Sequence, residues 1–92
     1  MSCGRWERLM AAAERGGNRG KALEFMEKLV ECFVYGVQSL IAAGELDEAE
    51  ELIKAGLEAA KKHGIEELKF HMELNQRRIK EIRERRAAAA RA

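Results

Sequence analysis

The sequence predicts an all-α chain, a small helical bundle of three long helices plus a short N-terminal helix, and three observations predict it. Ala, Leu, Glu, Lys and Arg dominate a chain of 92 residues that contains no proline, which is the composition of uninterrupted helix. Apolar residues recur at three- and four-residue steps through successive stretches. Glycines stand where those stretches end, at Gly16 and Gly17, at Gly44 and at Gly64, and glycine is the residue that closes a helix in the left-handed conformation.

The richest stretch is 21–43, KALEFMEKLVECFVYGVQSLIAA. Ala22, Phe25, Met26, Leu29, Val30, Phe33, Val37, Leu40 and Ile41 form one face, and Leu23, Val34 and Tyr35 add apolar surface outside it. A helix apolar over most of its circumference is covered on several sides, so this is the central helix of the bundle. Asn18 stands ready to cap it. Ahead of it, Ser2 caps a first helix from about Gly4 to Arg15, with Trp6, Leu9, Met10 and Ala13 on one side; a helix so short is marginal unless it docks. The GGNRG run between the two is a flexible joint.

After Gly44 the segment ELDEAEELIKAGLEAAKKHG crowds acids into its first turn and Lys61, Lys62 and His63 into its last, matching the helix dipole at both ends. Leu46, Ala49, Leu52, Ile53, Gly56, Leu57 and Ala60 form its inward stripe. The short break at Gly44 folds this helix back on the central one as an antiparallel hairpin. In the last helix Ile65, Leu68, Met72, Asn75, Ile79 and Ile82 form the seam, and Asn75 is its one polar member, placed to fix register. Phe70 and Leu74 lie on the other side, where they either receive the first helix or meet another molecule. Beyond Ile82 no large apolar residue remains. The whole reads as one domain over 1–92: a short helix and Gly-rich hinge over 1–17, the bundle over 18–86, and a frayed tail over 87–92.

The hairpin over 30–63 resembles a tetratricopeptide repeat, a family of helix pairs of about 34 residues. With Gly44 on the glycine of the inter-helix turn, Ala49 and Gly56 fall on the two small positions of the second helix and Ile53 on the large apolar position between them. Phe33 matches the leading aromatic of the first helix and Leu40 its later large apolar position. Gly36 lies one residue from the family's small position, and Lys61 stands where the family has proline. The resemblance implies a protein-binding scaffold without catalytic residues. One repeat is fewer than the roughly three that such arrays need for stability, and self-association would supply the missing cover.

The net charge of +1 conceals an uneven distribution. Residues 1–21 hold five cations against two acids, for +3; residues 22–76 hold five against twelve, for −7; residues 77–92 hold seven against two, for +5. Basic ends on an acidic middle attract anionic surfaces to the ends. The cations Arg77, Arg78, Lys80, Arg83, Arg85, Arg86 and Arg91 are suited to phosphate contact. Glu81 and Glu84 dilute them, and no aromatic is interleaved among them for base stacking.

Chemistry finds little else. His63, Glu67 and His71 share a four-residue spacing, but Gly64 interrupts it and one helix does not encircle a metal, so they read as surface residues. Cys32 reads as a small apolar filler and Cys3 is left open; two cysteines make no disulfide framework, which points to a reducing interior. GGNRGK lacks the order of a nucleotide-hydrolysing loop. The first residues carry charges where a secretory signal has its apolar run, and Glu31 and Gln38 interrupt the only stretch rich enough to approach a membrane span.

These readings converge on a cytoplasmic, non-enzymatic interaction module with no cofactor, metal or small-molecule substrate. It is expected to be a homo-oligomer, a dimer above all, meeting its partner through Trp6, Phe70 and Leu74. The alternative is a small nucleic-acid-associated protein, a component of a ribonucleoprotein or virion, that holds phosphates through its basic N- and C-terminal segments, with Arg77, Arg78, Lys80, Arg83, Arg85 and Arg86 as the candidate contacts.

Overall fold

The computed structural model describes residues 3–91, which form four helices in chain order: α1 (Cys3–Arg15), α2 (Arg19–Ala42), α3 (Leu46–His63) and α4 (Glu66–Arg91). The all-α bundle expected from composition and periodicity is the fold observed. The expected Ser2 cap falls outside the described residues.

Each boundary has a local cause. The Asn18 side chain accepts a hydrogen bond from the Lys21 backbone N–H at 3.0 Å, so it caps α2 as its position suggested. Gly44, at φ 77°, closes α2: the Glu45 N–H reaches back to the Leu40 carbonyl at 2.9 Å and the Gly44 N–H to that of Ile41. Gly64, at φ 66°, closes α3 the same way, with Ile65 N–H donating to the Ala60 carbonyl.

α2 is the centre. It packs against α1, α3 and α4, while α3 also packs against α4. Its Leu29, Val30, Phe33, Val37 and Ile41 are buried with Ile53 of α3 and Leu68, Met72 and Ile79 of α4. The tightest approach is at Gly56, where a Cβ would lie 2.7 Å from Met72 Sδ and 3.2 Å from Phe33 Cδ1. Asn75 is buried, but its Nδ2 donates to the His71 carbonyl at 2.8 Å, one turn back on its own helix. Register therefore does not rest on a bond from Asn75 across the seam.

α1 folds back onto α2 of its own chain, with Met10 sunk to 1% exposure. Cys3 and Cys32 are joined by a disulfide, their Cα atoms 5.7 Å apart. This corrects the reading of Cys32 as an unbonded filler: both thiols are used, and they fasten the start of α1 to the middle of α2. α4 remains helical to Arg91, and every residue from Arg83 to Arg91 is exposed.

Candidate nucleic-acid interface

α4 buries one row, Leu68, Met72, Asn75 and Ile79, against its neighbours. At about 100° per residue, the opposite row runs through Phe70, Leu74, Arg77 and Glu81, and all four are exposed. Phe70 is 59% exposed and Leu74 44%. Arg78 and Arg85 flank this row on one side and Lys80 on the other, which spreads the charge around the solvent half of the helix.

The six basic residues expected to touch phosphate divide into two groups. Arg83 turns toward α3, where its Nη2 donates to Asp47 Oδ1 at 2.7 Å and also to Glu50. Those two hydrogen bonds raise the guanidinium pKa above its ordinary value, the bond to Asp47 contributing most. Arg83 is thereby a clamp between α3 and α4. Arg85 pairs with Glu81 one turn before it, at 3.8 Å. Arg86 reaches the α2–α3 turn, its Nη2 3.7 Å from where a Cβ on Gly44 would lie. There it brings a cation to the C-terminus of α2, whose last turn has none of its own. Arg77, Arg78 and Lys80 are exposed and form no ion pair among the described residues.

Trp6 and the Phe70–Leu74 pair lie on different helices and have different neighbours. The Trp6 ring is tilted against Phe25 of α2 at 6.3 Å between centroids, and the Arg5 guanidinium stands 5.2 Å over it. Phe70 meets the ring of His71, its chain neighbour, at 5.5 Å. The surface reading of His63 also needs correction. Its side chain is only 9% exposed and its Nε2 donates to Glu7 Oε2 at 2.9 Å, adding a polar tie from α3 to α1. Glu67 and His71 lie beyond the Gly64 turn on α4. No helix among the described residues is long and apolar enough to cross a membrane.

The family model for archaeal ribosomal protein aL49 matches residues 2–86. No curated protein matches the chain. The match overturns the resemblance to a tetratricopeptide repeat. Phe33, Ala49, Ile53 and Gly56 are buried because α2, α3 and α4 converge on them, and any tight helical hairpin puts small and large residues at such positions. Lys61, standing where the repeat has proline, was the departure that carried information.

Proposed function

Since the chain belongs to the archaeal ribosomal protein aL49 family, we propose that it is a structural, non-enzymatic component of the ribosome that contacts RNA through α4. The reading replaces self-association as the main expectation, because membership in a ribosomal family favours a ribonucleoprotein role and nothing comparable supports a dimer. It also carries the cytoplasmic location with it.

The observation that carries the site is the ion-pair pattern of α4. Arg83 is committed to Asp47 and Glu50, whereas Arg77, Arg78 and Lys80 sit within four residues of one another with no carboxylate partner among the described residues. Arginine and lysine left free on the outer half of a helix neutralise phosphates and release the condensed counterions, a contact without sequence preference. The phosphate set is therefore narrower than charge alone suggested, with Arg83 and Arg86 turned toward α3 and the α2–α3 turn and Arg85 beside Glu81.

Binding of ribosomal RNA fragments, titrated from low to high salt, tests this. The parent protein should bind with an affinity that falls linearly with the logarithm of salt. Replacing Arg77, Arg78 and Lys80 together with Gln should reduce the slope by about 2 to 3, roughly one for each phosphate no longer neutralised. Arg83→Gln should leave the slope unchanged and lower the thermal midpoint. Absence of binding at low salt removes the proposal, and a flattened slope for Arg83→Gln alone would reassign the contact.

A further inference from the structure

We infer that the hollow on the outer face of α4 between Phe70 and Arg77 seats one unpaired nucleotide of an RNA strand, its base stacked on the Phe70 ring and its phosphate held by Arg77. This deepens the RNA-binding reading and rests on it.

The hollow is bordered by Phe70, Glu73, Gln76 and Arg77. Phe70 leaves more than half of its surface to solvent, and Leu74 extends the apolar strip by one turn. One exposed aromatic is ordinary by itself; what sets Phe70 apart is the hollow it shares with a cation that has no carboxylate partner among the described residues. A protein partner would need about 800 Å² on this side, whereas two apolar side chains set among Glu73, Arg77 and Glu81 offer far less. A single base needs only one ring to stack on.

The polar neighbours select the same occupant. Arg77 lies on the row of Phe70 two turns further on, about 10 Å along the axis, and it has no carboxylate partner among the described residues. An apolar disc and an anion are thus accommodated in one hollow, the combination a nucleotide presents. Between them the Gln76 amide has both donor and acceptor atoms for a base edge. Glu73 repels phosphate and accepts from an exocyclic amino group, which sets the direction: base at the Phe70 and Glu73 end, phosphate at Arg77. Paired bases in a helix keep their faces stacked on one another, so the hollow takes unpaired RNA.

Fluorescence anisotropy with a ten-nucleotide oligocytidine and with an RNA duplex of the same length separates this inference from the reading beneath it. Phe70→Ala should weaken single-strand binding about tenfold, leave duplex binding within about twofold, and melt at the parent temperature because the side chain is exposed. Phe70→Trp should retain the affinity, and in a Trp6→Phe background its fluorescence should be quenched by oligocytidine. Equal single-strand affinity for the parent and Phe70→Ala overturns the inference while duplex binding leaves the broader reading standing. Equal weakening toward both strands likewise overturns it, as does an unquenched Trp at 70. If the parent binds neither strand, both readings fall together.

Discussion

Cys3 and Cys32 stand level on α1 and α2 because the chain between them turns midway, at Gly17 and Asn18. Two helices folded back about a turn bring residues equally far from it side by side, so the pairing was legible once α1 was taken to dock on α2. Counting cysteines against a disulfide framework concealed it. Disulfides inside cells are known from hyperthermophilic archaea, so the bridge does not by itself contradict the ribosomal role proposed. The bridge spans 29 positions, and closing a loop of that size contributes about 3.5 kcal/mol. Replacing both cysteines with Ser should therefore lower the thermal midpoint by more than about 10 °C in so small a domain. Reductant should lower the parent midpoint and leave that of the double variant unmoved; a parent insensitive to reductant would show the bridge to be absent. The partners of Arg83 were not legible in the same way. Asp47 and Glu50 lie 36 and 33 residues away, and only the side-by-side packing of α3 and α4 decides which of twelve central acids it meets.

Helix identities and limits were the most legible feature of the chain, since each rests on a signal within a few residues: a capping Asn18, a left-handed Gly44, a left-handed Gly64. What each helix packs against was less so. The repeat-like positions of α2 and α3 are real packing positions, yet α4 supplies the Met72 that fills the space above Gly56. Gly56→Leu should cost about 1 to 3 kcal/mol or more, because Met72 and Phe33 are both buried and have nowhere to retreat. Chemical denaturation measures it, and an unchanged midpoint would mean that the three helices do not converge there. The interface proposed on α4 was half legible. Its cations were plain in the sequence, but only the helical row joins Arg77 to an aromatic seven residues earlier. A search for aromatics inside the basic tail misses Phe70.

At the scale of the whole molecule, an elongated body of 58 × 22 × 15 Å sets some of its acids apart from the free cations of α4. Asp47 and Glu50 face α4 and are engaged by Arg83. Glu48 and Glu51 instead border the side of α3 turned toward Cys3 and Leu40, and Glu58 the side toward Glu7 and Phe33. These three are exposed and unpaired among the described residues, and an RNA strand on α4 feels them only through the field. The screening length is about 30 Å at 0.01 M salt and about 8 Å at 0.15 M, while the molecule is 22 Å across. Their repulsion thus spans the body at low salt and dies within it at physiological salt. Replacing Glu48, Glu51 and Glu58 with Gln should tighten RNA binding several-fold at 0.01 M salt and leave it unchanged at 0.15 M. The two conditions distinguish orientation from contact: an equal gain at both would put the acids against the RNA itself and turn a different flank of the bundle toward it.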